Sequence, residues 1–141
     1  KDLIYQTVSY ISANFKKKLS LEEMAKDLGV SKYVLSRLFS KTFHRNFNQY
    51  LNDARLNYAC HCLENTSGSI TNICLDSGFE SQRTFNRVFK ERYKISPSDY
   101  RSTCVKDMLS QNVLQIEKFT LILRRYAFDF IHFSAKNPRP P

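Results

Sequence analysis

Gln82, Arg83, Asn86, Arg87 and Lys90 gather hydrogen-bonding side chains into one short stretch, "QRTFNRVFK". At about 100° per residue from Gln82, these five fall on one arc of a helix, between about 0° and 140°. The apolar Phe85, Val88 and Phe89 fall between about 240° and 340°, on the far side. One face packs and the other is free to read a partner. Arginine is well shaped for a guanine edge, and lysine and arginine neutralise phosphate.

Composition agrees with that chemistry. The chain has 141 residues, 22 Lys plus Arg against 13 Asp plus Glu, and a formal charge of +9. A basic excess of this size favours a polyanion, with nucleic acid first and an anionic membrane second. No run of apolar residues is long enough to span a membrane, and the N-terminal stretch lacks the apolar segment and cleavage site of a signal peptide. The expectation is an intracellular protein. The chain begins at Lys1 without an initiator Met, which suggests the C-terminal part of something longer.

Catalysis and metal binding are not signalled. Cys60, Cys62, Cys74 and Cys104 match neither paired C-x-x-C knuckles nor a disulfide framework. Cys60 and Cys74 read as small apolar residues on helix faces. His44, His61 and His132 are too scattered to supply a base for a cysteine nucleophile.

The elements that position the polar arc emerge when the chain is compared with itself. "LEEMAKDLGVSKYVLSRLF", Leu21 to Phe39, aligns with "ITNICLDSGFESQRTFNRVF", Ile70 to Phe89, with one residue inserted at Glu80. Gly29 pairs with Gly78, Ser31 with Ser81, Arg37 with Arg87 and Phe39 with Phe89; Tyr50 and Tyr100 continue the correspondence. Each unit reads as two helices joined by a tight turn. In the first, Ser20 and Glu23 have capping-box spacing, Leu21, Met24, Ala25 and Leu28 form an apolar stripe, and Gly29 allows the bend. Ser31 caps a second helix whose core face is Leu35, Leu38 and Phe39, with Val30 and Leu35 as a hydrophobic staple. Its outer arc carries Lys32, Tyr33, Ser36, Arg37 and Ser40.

A leading helix is expected from Asp2 to about Phe15. Between the units, Asn46 to Asn65 has neither Pro nor Gly and reads as one helix of about 28 Å, near the length of one duplex turn, about 34 Å. The second unit closes with "SPSDYR", where Ser96 caps and Pro97 takes the first helical position.

Ala25, Gly29, Ser31, Leu35, Arg37 and Phe39, then Tyr50, Leu51, Arg55 and Leu56, and finally "GFESQRTFNRVFK" with "SPSDYR" carry a resemblance. From about Asp2 to Arg101 the chain resembles the DNA-binding domain of AraC/XylS-type bacterial transcription regulators. The second half is the specific part. The resemblance implies an all-α fold of about seven helices, with two helix-turn-helix subdomains, about 20–43 and 69–93, joined by a long linker helix, about 46–64. Residues 1–101 would form the DNA-binding domain and 102–141 a C-terminal extension.

The implied function is sequence-specific transcription regulation without catalysis, cofactor or metal, with two recognition helices entering successive major grooves of double-stranded DNA. Lys32, Tyr33, Ser36, Arg37, Gln82, Arg83, Asn86 and Arg87 would read bases, and Ser31, Ser81 and Lys90 would hold phosphate. RNA polymerase is a further expected partner, as is an N-terminal sensing or dimerising domain in the full-length protein; a membrane is not. Two departures stand out. Relatives usually place Gly after each recognition helix, where this chain has His44 and Lys94, so these helices are expected to end differently or at a cost of about 1 kcal/mol. Cys74 stands where Ala is usual.

Past Arg101 the resemblance stops. Leu109, Val113, Ile116, Thr120, Leu123, Ala127 and Phe130 fit a heptad-like helix stripe, while Tyr126, Phe128 and Phe130 also alternate like a strand. Residues 101–141 contain seven basic and three acidic side chains, +4 of the +9. The ending "KNPRPP" is expected to be disordered. Tyr33 could instead be a packing residue, Arg55 reads as a structural donor on the linker helix, and Lys16 to Lys18 as a solvated loop or a phosphate contact. Rival functions are a protein–protein or oligomerisation module built on the tail, and a DNA-repair-linked thiol methyltransfer protein using Cys104.

If about six phosphates are neutralised, log K for DNA should fall by about 5 per decade of salt. A salt titration by fluorescence anisotropy measures this slope, and a slope near zero rejects the polyanion reading.

Overall fold

Among the described residues, seven α-helices begin at seven short polar residues. Asp2, Ser20, Ser31, Asn46, Ser69, Ser81 and Ser96 each accept a hydrogen bond from a backbone N–H in the first turn that follows. Each thereby satisfies a donor that the helix itself leaves unpaired. Ser20 supplies one half of the expected box; a complete reciprocal box forms at Asn46 and Gln49, at 2.8 and 3.0 Å.

The computed structural model describes residues 2–136, and all regular structure among them is helical. The elements are α1 (Leu3–Asn14), α2 (Leu21–Leu28), α3 (Lys32–Leu38), α4 (Phe47–Asn65), α5 (Ile70–Asp76), α6 (Gln82–Tyr93) and α7 (Pro97–Lys136). A π-helical turn, Phe39–Phe43, continues α3. The chain divides into two units, Lys1–Arg101 and Ser102–Pro141.

The first unit has two cores that share α4. Ile11, Met24, Ala25, Leu35, Phe39, Phe47 and Leu51 form one. Leu56, Ala59, Cys60, Leu63, Ile73, Cys74, Phe79, Phe85, Val88 and Phe89 form the other. At about 100° per residue, Phe47 and Leu51 lie at about 0° and 40° around α4, while Leu56, Ala59, Cys60 and Leu63 lie between about 120° and 220°. The helix therefore switches its buried side between Leu51 and Leu56. It is the shared wall of two helix-turn-helix subdomains, α2–α3 and α5–α6.

The repeat is visible as packing. Phe39, Phe43 and Tyr50 form an aromatic trio with centroids 4.8 to 5.5 Å apart. Phe89, Tyr93 and Tyr100 repeat it fifty residues later, at 4.7 to 5.8 Å. Such contacts add about 0.5–1.5 kcal/mol each beyond burial.

Polar ties then fix the elements. Arg55 on α4 donates to the carbonyls of Phe15 and Lys17 at 2.7 and 2.8 Å, which identifies it as the structural donor expected. Arg101 does the same for Leu63 and Thr66 at the end of α4, and the Tyr100 hydroxyl donates to Glu64 at 2.5 Å.

In the second unit the helix-or-strand ambiguity resolves as helix, because α7 continues through Lys136. Val105, Leu109, Val113 and Ile116 are exposed. The expected disorder of "KNPRPP" falls outside the described residues from Asn137 on.

Gly78 has φ +96°, and a Cβ there would meet the Phe15 carbonyl oxygen at 2.6 Å and Arg55 Nε at 2.9 Å. Gly29, with φ +69°, has nothing within 4 Å. Gly29→Ala should therefore cost about 1 kcal/mol, from backbone strain alone, and Gly78→Ala at least about 2 kcal/mol more. Urea unfolding of the two variants checks the difference; equal losses would show that the close approach at Gly78 is without weight.

Candidate nucleic-acid interface

Each polar arc is presented by a helix locked from beneath. Leu35 and Phe39 are wholly buried under α3, with Val30 packed against the same core, so the staple forms. Under α6 the buried residues are Phe85, Val88 and Phe89, and Phe79 takes the staple position with its ring 5.1 Å from Phe85. The entry turns also match: Val30 N–H donates to Ala25 at 3.0 Å, and Phe79 N–H to Cys74 at 3.2 Å.

All the residues expected to touch DNA lie on the exposed surface. On α3 these are Lys32, Tyr33, Ser36 and Arg37; on α6 they are Gln82, Arg83, Asn86 and Arg87. Ser31, Ser81 and Lys90 are exposed as well. Tyr33 is 77% exposed, with the Lys32 ammonium 5.8 Å from its ring, so the packing alternative fails.

Several of these groups hold weak partners. Lys32 lies 3.5 Å from Glu22, whose carboxylate is held below its ordinary pKa by its own backbone N–H and then by Lys32. Arg87 pairs with Glu91 at 3.3 Å, and Thr71 donates to Gln82 at 2.7 Å. Exposed pairs of this kind are worth roughly 0–1 kcal/mol, little enough to exchange for a base edge or phosphate. The hydroxyls of Ser31 and Ser81 accept from Val34 and Thr84 as caps, so any phosphate would share them with the helix start.

Lys16 to Lys18 are exposed and partnered. The Lys16 ammonium sits 4.0 Å over the Tyr58 ring, and hydrogen bonding to the Tyr58 side chain raises its pKa. Lys17 donates to Asn14 at 3.2 Å, and Lys18 lies 4.0 Å from Glu80.

Of the two outcomes expected from the missing Gly, a different ending or a cost in backbone strain, the left-handed turns point to the second. His44, with φ 53°, and Lys94, with φ 66°, both adopt the left-handed conformation. Their N–H groups donate to Phe39 and Lys90. The aromatic trios hold both turns, and the Asn46 and Ser96 caps start the next helix two residues later, which offsets the local strain. What does differ is the wide π-turn that ends the first reading helix.

Matching grooves flank the reading helices, a feature the sequence reading missed. One is lined by Ser20, Glu22, Ser36, Asn46 and Asn48, the other by Gln82, Asn86, Lys90, Ser96 and Ser98. The signal was available: Asn46 and Ser96 are caps fifty residues apart, and each opens a helix beside a reading helix. Helix N-termini favour anions.

Cysteine chemistry is not gathered here. Cys60 and Cys74 are buried as expected, and burial pushes the Cys74 thiol up, away from reactivity. Among the described residues no group of three or more His, Cys, Asp or Glu could hold a metal ion.

Known proteins share this arrangement. The family described as a helix-turn-helix domain matches residues 24–103. Regulatory protein SoxS of Escherichia coli is 34% identical over 99 residues, covering 70% of this chain and 92% of that protein. An uncharacterised HTH-type transcriptional regulator of Staphylococcus aureus is 30% identical over 136 residues, which cover 94% of this chain and 18% of the longer protein. The structure of a transcriptional regulator with an AraC-type DNA-binding domain from Chromobacterium violaceum matches with a TM-score of 0.67 and 33% identity, covering 71% of this chain and 89% of that one.

The left-handed positions yield a direct test. His44→Gly and Lys94→Gly should each stabilise the fold by about 0.5–1 kcal/mol, because glycine adopts positive φ without strain. Thermal and urea unfolding of the single variants measure it; destabilisation by either would show that its side chain contributes more than the strain costs.

Proposed function

The chain belongs to the AraC/XylS-type family of helix-turn-helix transcription regulators, and we propose that it reads one site on double-stranded DNA by placing α3 and α6 in successive major grooves. The observation that carries this reading is the repetition of one exposed polar arc, Lys32 to Arg37 and Gln82 to Arg87, over two equivalent buried stripes. A shared α4 of 19 residues supports the spacing, since it is about 28 Å long against about 34 Å for a duplex turn.

In this reading Lys32, Tyr33, Ser36 and Arg37 read one cluster of bases, and Gln82, Arg83, Asn86 and Arg87 a second. Ser31, Ser81 and Lys90 hold the backbone, joined by the N-termini of α4 and α7 beside the reading helices. The two quartets differ in sequence, so the two clusters should differ and one site should not be palindromic.

The role is regulatory rather than catalytic, as for the relatives. No helix among the described residues is long and apolar enough to cross a membrane. Work in the bacterial cytoplasm, contact with RNA polymerase and a separate N-terminal sensing or dimerising domain complete the reading; the much longer Staphylococcus relative supports the last. The exposed Val105, Leu109, Val113 and Ile116 on α7 favour an additional oligomerising role for the extension, which sedimentation across a concentration series tests.

Selection from random duplex DNA should return a site of roughly 15–20 base pairs with two clusters about 10 base pairs apart. On that site Arg37→Ala and Arg87→Ala should each weaken binding by about 1–3 kcal/mol and relax preference at one or two base pairs. Equal loss on random DNA, or a five-base-pair insertion tolerated without loss, would overturn the two-groove reading.

A further inference from the structure

We propose that Asp53 is a positioning residue that sets the spacing at which the two reading helices engage DNA. The inference rests on the two-groove reading and adds a side chain that contacts no DNA in it.

Asp53 lies on α4 between Leu51, the last buried residue α4 gives to the first core, and Leu56, the first it gives to the second, with the partly buried Ala54 beside it packed against the first core. Its carboxylate takes Arg45 in a two-bond fork, Nε to Oδ2 at 2.9 Å and NH2 to Oδ1 at 3.0 Å. Arg92 Nε approaches the same Oδ1 at 3.9 Å. Arg45 directly follows His44, where the first reading helix and its π-turn end, and Arg92 stands in the last turn of the second, α6. One carboxylate thus ties the C-terminal ends of both reading helices to the helix between them.

The location gives these bonds their weight. The two cores are separate clusters on different sides of α4, so neither core by itself fixes the angle between the subdomains. A rotation of either subdomain about α4 stretches one arm of the Asp53 clamp. The approach of Gly78 to Phe15 and Lys16, with Arg55 against it, supplies a second stop. The clamp is the adjustable stop: Asp53 is 28% exposed, and Arg45 and Arg92 are 40% and 58% exposed, so water screens it and its strength is modest. Its removal leaves both cores and both polar arcs as they are.

The test uses the whole chain and its selected site, with variants carrying one base pair more or fewer between the two clusters, at fixed salt. The readout is the ratio of affinities for native and altered spacing, measured by anisotropy after titration of each protein's DNA-binding-competent fraction. Wild type should prefer native spacing. Asp53→Asn should lower that ratio by about two- to fivefold, with Arg92→Gln giving a smaller fall and the double variant little more than Asp53→Asn alone.

An Asp53→Asn protein that keeps the wild-type ratio, or that weakens on every spacing alike, overturns the assignment. An Arg92→Gln protein with a full ratio overturns the two-sided clamp. A wild-type protein indifferent to spacing overturns the two-groove reading, and the assignment with it; the two failures are therefore distinguishable.

Discussion

Helix α4 is buried on two sides, and everything else in the first unit depends on it. Phe47 and Leu51 close one core and Leu56, Ala59, Cys60 and Leu63 the other. Neither subdomain can bury its apolar stripe without this shared wall, because two short helices and a turn enclose too little surface. The complete capping box at Asn46 and Gln49 starts the helix firmly at the point where the first reading helix has just ended. Stability and geometry are consequently linked: the helix that completes each core also sets the distance between the two exposed polar arcs.

Around that spine the fold separates strong and weak interactions by task. Buried aromatic trios and cap hydrogen bonds define each helix-turn-helix, and these cannot be exchanged without unfolding. The partners of the outward side chains, such as Glu22 for Lys32 and Glu91 for Arg87, are exposed and worth little. A nucleic-acid reader needs this division, since its scaffold must stay rigid while its surface groups trade one partner for another. The left-handed His44 and Lys94 show how far the scaffold dominates: the aromatic contacts impose the turn on residues that resist it.

Interactions with carbonyl groups at helix ends form a further layer. Arg55 draws the loop after α1 onto α4, and Arg101 draws the end of α4 onto the start of α7. Both place a guanidinium where helix carbonyls lack partners, a favourable pairing at a helix C-terminus. Gly78 makes the first of these possible by leaving no Cβ between its turn and Phe15. Small and charged residues here do the work that an apolar core would do in a larger domain.

The sequence by itself determined the elements and the exposed polar arcs. Helical periodicity, Ser and Asn caps and the fifty-residue repeat are local signals, so α2, α3, α5 and α6 and the exposure of Arg37 and Arg87 were legible without coordinates. Ser96 was legible as a cap, and Asn46, its counterpart fifty residues earlier, was legible in principle through the same repeat. Other features were not. α4 carries two apolar faces that cancel in any single-stripe reading, so its double role appears only when both subdomains are folded onto it. The Asp53 clamp joins residues from three segments, and the Gly78 contact joins backbone to backbone across more than sixty positions. The secondary structure of the tail was undecided because its apolar residues fit both periods, and helix emerged only in the folded chain. Local pattern specifies which face of a helix is apolar; only tertiary packing decides what meets it, at what angle and through which charges.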